Sequence, residues 1–198
     1  KFIGSKYALM VNSGSSANLL AMFAMINPKK INKLKRGDEC LIPALCWSTS
    51  LWPIVQAGLV PKFVDIDPLT LNLSISDLKK KISKKTKAIM MVHILGNSTN
   101  MSELMKIIKK NKITLIEDTC EALGSKFNNK YLGNFGSFGS YSFYYSHQIT
   151  SGEGGCLVTK DKKILKLSKD IRLLGVSDES SKRYLGHRSW ISDVKIQG

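Results

Sequence analysis

Several things are scarce in this chain of 198 residues. No apolar run approaches the roughly 18 to 20 residues that a membrane-spanning helix needs, and the opening KFIGSKYALMVNSGSS lacks the flanks and cleavage site of a signal peptide. A cytoplasmic protein with no membrane partner is therefore expected. Cysteine is sparse: Cys40, Cys46, Cys120 and Cys156 stand far apart with no CxxC spacing. That argues against a zinc site or a disulfide framework and leaves reduced, mostly buried thiols and no metal. No internal repeat or low-complexity linker interrupts the chain. Acidic residues are also few, 15 against 30 Lys and Arg, which gives a formal charge of +15.

What is present is ordinary globular composition, 43% hydrophobic and 23% charged, which excludes disordered and fibrous classes. The positive charge raises the question of nucleic acid, because a clustered basic face attracts phosphate. Its distribution answers against that partner. Lysines fall within 29–35, 79–87, 106–112 and 160–169, beside apolar residues at helical spacing such as Leu78 and Ile82, or Leu104, Ile107 and Ile108. They read as the solvated outer faces of helices, and no recognition helix or aromatic RNA-binding motif accompanies them. The overall field still favours capture of a small anionic substrate.

Short apolar runs alternate with helical patterns, the signature of an α/β protein whose mainly parallel sheet is sandwiched by helices. Helices are predicted over 15–27, 48–57, 76–83, 102–111 and 162–174. Strands are predicted over 39–42, 62–66, 88–94 and 114–118, with two more near 138–144 and 155–159 inside a stretch rich in Gly, Ser and aromatics. Lys1 enters directly before an apolar segment and Gly198 stops just after VKIQ, so a fragment is expected.

Four places call for a chemical reading. In NSGSSANLLA, small hydroxyl residues precede an apolar helix; Ser15 and Ser16 either cap that helix or, with its free N–H groups, hold a phosphate. Asp118 in LIEDTCEALG ends an apolar strand, where α/β proteins place ligand-binding groups. Its carboxylate either caps the next turn or pairs with a protonated ring nitrogen, and Glu121 could point the same way. Trp47 in PALCWSTS either packs in the core or offers its face to a flat heterocycle. In YSFYYSHQITSGEGG, a Ser and several glycines that follow a strand suit a phosphate contact and close backbone approach, while His147 is either a polar contact or a base.

Together these segments resemble the DegT/DnrJ/EryC/StrS group of pyridoxal-phosphate-dependent sugar aminotransferases and dehydratases, across essentially the whole chain. RGDECLIPALCWSTS, GLVPKFVDIDPLTLNL, KAIMMVHILGN, LIEDTCEALGSKFNNKYLGNFGSFGSYSF and TSGEGGCLVT stand in the family's order. The resemblance implies an aspartate-aminotransferase-like (type I) fold, with residues 1–198 as an incomplete cofactor-binding large domain lacking an N-terminal segment and a C-terminal small domain. It implies that Ser15 and Ser16 hold the cofactor phosphate, that Trp47 stacks on the ring and that Asp118 pairs with the pyridine nitrogen. Glu121 stands where the family often has Gln or His, and Ser142 matches another phosphate ligand. It also implies a homodimer in the intact protein, with active sites at the subunit interface.

One position departs from the aminotransferases of the group. Where their pattern SFxxxKxxxxGEGG carries the lysine that binds the cofactor covalently, this chain reads SFYYSHQITSGEGG, with His147 in the lysine's place. No lysine occurs from 131 to 159, where composition would place about four. The same exchange marks the nucleotide-sugar 3-dehydratases of 3,6-dideoxysugar synthesis. The resemblance therefore implies noncovalent pyridoxal or pyridoxamine phosphate, an amino donor such as glutamate, and His147 as the base. The reaction would be loss of the C3 hydroxyl from a nucleotide-diphosphate-linked 4-keto-6-deoxyhexose, serving surface polysaccharide synthesis. A sugar aminotransferase and a noncatalytic binder of cofactor or nucleotide sugar are the alternatives. One dehydratase branch carries a cysteine-bound iron-sulfur cluster, but no cysteine follows Cys156, so no cluster is expected. The tail KRYLGHRSWISDVKIQG is similar to ordinary aminotransferases.

Overall fold

The computed structural model describes residues 2–30 and 32–173. The tail from residue 182, and the last residue of the helix predicted over 162–174, lie outside the described residues. The elements follow as β1 (Tyr7–Val11), α1 (Gly14–Ile26), β2 (Glu39–Pro43), α2 (Ser48–Gln56), β3 (Val60–Val64), α3 (Ile75–Lys81) and β4 (Thr86–Val92). A single 3-10 turn at Ile94–Gly96 leads to α4 (Met101–Asn111) and β5 (Thr114–Asp118). Then come β6 (Lys126–Phe127), β7 (Lys130–Tyr131), β8 (Phe138–Ser142), β9 (Gly155–Thr159) and α5 (Lys162–Arg172).

Seven strands form one sheet in the order β1-β9-β8-β5-β4-β2-β3. Neighbours from β8 to β3 pair in parallel, and β9 pairs antiparallel with both β8 and β1. The fold is therefore α/β with a mainly parallel sheet. Strand residues alternate between two apolar layers, as buried parallel strands require. Cys40, Ile42, Met90, Val92 and Ile116 pack beneath α1, α2 and α5, where Met22, Ile54 and Ile171 meet them. Leu41, Ile89, Met91 and Leu115 face the other way, toward Leu78 of α3 and Leu104 and Ile108 of α4. Lys106, Lys109 and Lys110 occupy the exposed side of α4, opposite its buried Leu104 and Ile108. No helix among the described residues is long and apolar enough to cross a membrane.

Three features depart from the expectations. The run YALMV, read only as an apolar segment, is strand β1, recruited by β9 in the register Ala8 to Val158. The strands predicted over 62–66 and 88–94 start two residues earlier, because pairing with β2 begins at Val60 and Thr86. A small hairpin, β6–β7, was not foreseen. Asn128 and Asn129 form its two-residue turn with φ of 47° and 61°, the left-handed pair that a type I′ hairpin needs and that Asn tolerates.

The segment between β7 and β8 is held by a carboxylate inside β5. Glu117, fully buried, accepts the backbone N–H groups of Phe135 at 2.7 Å and Gly136 at 2.6 Å on one oxygen. Its other oxygen accepts Gly133 N–H at 2.9 Å and the His93 Nε2–H at 3.1 Å. Four donors fill the four acceptor positions of a carboxylate, and the loop that leads into β8 is fixed to the middle of the sheet.

Candidate active site

A cavity of about 490 Å³ opens at the carboxyl ends of the parallel strands, the place where open α/β sheets bind ligands. Each strand delivers its residues by ending there. Trp47 follows β2, His93 and Ile94 follow β4, Asp118 closes β5 with Glu121 in the turn after it, and Ser142 closes β8. The N-terminal turn of α1 enters through Ser13, Gly14 and Ser15, and the loop from β8 to β9 contributes Tyr144, Ser146, His147 and Glu153.

The cavity brings together six of the seven residues singled out from the sequence: Ser15, Trp47, Asp118, Glu121, Ser142 and His147. Ser16 is left out; it lines a separate groove with Leu19, Phe23 and Ile171. Neither serine caps α1. Ser13 does, its hydroxyl oxygen accepting the Ser16 N–H at 3.0 Å, so the helix starts one residue earlier than expected and Ser15 stands exposed beside the cavity. Gly14 is buried at that entry, and a Cβ on it would come within 2.7 Å of both Cys120 Sγ and Ser142 Cβ. The close approach of α1 to β5 and β8 thus needs a residue without a side chain.

Asp118 is 6% exposed. It does cap the following turn, Oδ1 accepting the Cys120 N–H at 3.1 Å, while Oδ2 accepts Asn18 Nδ2 and Ser50 Oγ, each at 2.7 Å. The core reading of Trp47 does not hold: the side chain is 74% exposed at the start of α2. Glu121 Oε2 accepts the N–H of Leu95 at 2.9 Å, steadying a residue with φ of 53°. Ser142 is buried at the end of β8, and its hydroxyl accepts the Tyr144 N–H at 3.3 Å. His147 is partly exposed in a turn closed by its own N–H to Tyr144 O at 3.1 Å, with the Tyr144 ring 6.5 Å away, edge-on.

The thiols beside Asp118 report the local field. Burial first, and the Asp118 carboxylate second, push the Cys120 thiol well above its ordinary range; the same two causes raise Cys46. Neither is a thiolate nucleophile at neutral pH. The cavity lining holds Asp118, Glu121 and Glu153 but no lysine or arginine among the described residues.

Sequence reasoning missed Asn18, Ser50, Glu117 and Glu153. Glu153 stands within GEGG, where the surrounding glycines are the stronger signal. Glu117 carried a signal, an acid inside the buried run TLIED. Asn18 and Ser50 sit inside helices and reach Asp118 across 100 and 68 residues of sequence, so no local pattern marks them.

Comparison with known proteins follows the same line. The family model described as the DegT/DnrJ/EryC1/StrS aminotransferase family matches residues 1–196. GDP-4-keto-6-deoxy-D-mannose 3-dehydratase of Escherichia coli O55:H7 is 50% identical over 175 residues, covering 88% of this chain and 45% of that protein. A solved structure of a GDP-4-keto-6-deoxymannose-3-dehydratase variant, with a histidine changed to asparagine and GDP-perosamine bound, superimposes with a TM-score of 0.87 at 48% identity. It covers 91% of this chain and 47% of the other. A second structure, of GDP-4-keto-6-deoxymannose-3-dehydratase with a trapped geminal diamine of PLP and glutamate, gives a TM-score of 0.85 at 49% identity, covering 88% and 45%. The chain thus spans about half the length of the relatives it matches.

Proposed function

The chain belongs to the DegT/DnrJ/EryC1/StrS aminotransferase family, and from that premise we propose that it is the cofactor-binding large domain of a pyridoxal-phosphate-dependent nucleotide-sugar 3-dehydratase. The substrate is a nucleotide-diphosphate-linked 4-keto-6-deoxyhexose, glutamate is the amino donor, and the setting is the cytoplasm. The observation that carries this reading is the cavity lining itself: His147 is there, and no lysine among the described residues is.

The residues present fit the cofactor. Ser15 and Ser142 offer hydroxyls at the mouth of α1, where helix N–H groups and the dipole favour a phosphate, and Gly14 lets that helix end come close to Ser142. Trp47 offers an exposed indole face for stacking. Asp118 has three of about four acceptor positions filled by Asn18, Ser50 and Cys120 N–H, and the last faces only the weakly donating Cys120 thiol, so a single stronger N–H donor such as a protonated pyridine can take it. Ser16 lines the neighbouring groove, and its hydroxyl accepts from Ser13 Oγ at 3.0 Å at the entry of α1. Bound there, the cofactor supplies an amine for the sugar carbonyl and an electron sink in its ring.

This chain's own part is to hold and to move a proton. An imidazole cannot replace lysine as a covalent anchor, so binding rests on the noncovalent contacts above. Imidazole is the side chain suited to take up and give back a proton near neutral pH. In the described structure no protein group bonds to the His147 ring, so a ring nitrogen is open to take a proton from the bound ligand and to return one to the departing hydroxyl.

Trp47, Leu95 and Tyr145, all more than two-thirds exposed, belong to segments that rim the cavity. Their exposure supports a homodimer that covers them in the intact protein.

The test uses the intact protein with pyridoxal phosphate and glutamate. The expected product from a GDP-linked 4-keto-6-deoxy sugar is the 3-deoxy sugar, with no pyridoxyl-lysine after borohydride reduction. His147→Asn should lower turnover by about 100-fold to 10,000-fold. An amino-sugar product together with a lysine adduct would overturn the reading in favour of aminotransfer, and cofactor or sugar binding without turnover would reduce the protein to a binder.

A further inference from the structure

At the cavity floor, which Ser50 itself helps to line, a polar network joins three elements that local sequence does not connect. Asn18 comes from α1, Ser50 from α2 and Ser140 from β8, and all three are at most 1% exposed. Asn18 donates its amide Nδ2–H to Asp118 Oδ2 at 2.7 Å, and Ser140 Oγ donates to Asn18 Oδ1 at 2.6 Å. Ser50 Oγ donates to the same Asp118 oxygen at 2.7 Å. The orientation of the Asn18 amide is fixed by chemistry, because a flipped carbonyl would face a carboxylate.

Asn18 lies within the apolar run ANLLAMFAMI, where an amide is a poor helix former and costly to bury unless bonded. Both ends of its amide are bonded, one to the carboxylate and one to the hydroxyl that sets its angle. With Oδ2 occupied twice and Oδ1 once by Cys120 N–H, the Asp118 carboxyl is fixed against rotation, and its remaining acceptor position faces only the Cys120 thiol, a weak donor that a charged N–H outcompetes.

We propose that Asn18 is a positioning residue: its amide, set by Ser140 and assisted by Ser50, holds the Asp118 carboxylate so that the remaining Oδ1 position meets a protonated ring nitrogen of the bound ligand. This rests on the proposed pairing of Asp118 with the cofactor ring. Asn18 acts through Asp118 and touches neither cofactor nor substrate. It sets the ring's protonation, and through it the ring's capacity to accept electrons, without entering the reaction.

The experiment titrates the intact protein, and its Asn18→Ala, Ser50→Ala and Asp118→Ala variants, with pyridoxal 5′-phosphate and with its 1-deaza analogue, in which carbon replaces the ring nitrogen. Affinities come from absorbance and equilibrium dialysis. The ring-nitrogen protonation state comes from the NMR shift of 15N-labelled pyridoxal phosphate. Asn18→Ala is expected to weaken pyridoxal phosphate roughly tenfold, the usual effect of one bond to a charged group, to move the 15N signal toward the unprotonated ring, and to leave the 1-deaza analogue unaffected. Ser50→Ala, which spares α1, should shift the same two readouts in the same direction. Equal weakening of both ligands by Asn18→Ala, or no change in either with Asp118→Ala still harmful, overturns the positioning role. If Asp118→Ala itself leaves pyridoxal phosphate affinity intact, the underlying pairing falls and the inference with it.

Discussion

Replacing Glu117 by glutamine exchanges one oxygen for an amide nitrogen at constant shape, in a side chain with no exposed surface. The glutamine oxygen can keep only one of the two donor pairs. Placed toward Phe135 and Gly136, whose N–H groups lie at 2.7 and 2.6 Å, it turns the new NH₂ onto Gly133 N–H and His93 Nε2. His93 can answer by moving its proton to Nδ1, which has no hydrogen-bond partner, and accepting at Nε2. Gly133 N–H has no such escape and is left facing a donor. A stranded buried N–H costs about 1–3 kcal/mol, and two bonds that change from charged to neutral acceptors lose about 0.5–1 kcal/mol each. The expected loss is about 3 kcal/mol, a large share of the roughly 5–15 kcal/mol that holds a domain together. For a protein of this size it lowers the melting temperature by about 6–12 °C. Hydrogen exchange is the decisive assay, because the amides of Gly133, Phe135 and Gly136 should lose protection ahead of those in β4 and β5. A loss below about 1 kcal/mol, or deprotection spread evenly over the sheet, would refute the account of Glu117 as the anchor of this loop.

Gly14→Ala should displace Cys120 and Ser142, since the new Cβ meets both at 2.7 Å; overpacking of this kind costs about 1–3 kcal/mol and should weaken cofactor binding in an absorbance titration, with partial recovery in the Gly14→Ala, Cys120→Ala double variant. Burial pushes the Cys40 thiol up to about 12, and Cys120 and Cys156 also titrate above their ordinary value. The folded state therefore holds these protons more tightly than the unfolded chain, so their contribution is intact below about pH 8.5 and is lost as pH rises toward about 12. Urea midpoints should fall across that alkaline window, and Cys40 should react with a thiol reagent at pH 8 only on unfolding. Asp161 caps α5 by accepting Lys163 N–H at 2.7 Å; Asp161→Ala should cost about 1 kcal/mol, measured by thermal melting.

Much of this protein was legible in its sequence, for a local reason. The alternation of two-sided apolar strands with one-sided helices depends on residues a few positions apart, so TLIED, AIMMVHI and the lysine-faced helix 102–111 announced β5, β4 and α4 within two residues. The chemistry at strand ends was legible too, because a carboxylate after a buried strand or a histidine in a glycine-rich loop stands out against its neighbours. Asp118 and His147, 29 positions apart in number, could be named from the sequence, as could the absence of lysine between 131 and 159.

Pairing over long distance was decided only by the tertiary structure. YALMV became a strand because β9 offered it an edge. Ser13, not Ser15 or Ser16, took the cap of α1, and Ser16 came to line a second groove beside Phe23, while Trp47 stayed outside the core. Asn18 and Ser50 acquired their roles because α1 and α2 pack over the end of β5 and bring an amide and a hydroxyl to one carboxylate oxygen. Periodicity records which face of an element is buried. It does not record which distant polar group waits there, because a buried hydrogen bond is satisfied by whichever donor the packing of whole elements brings within reach.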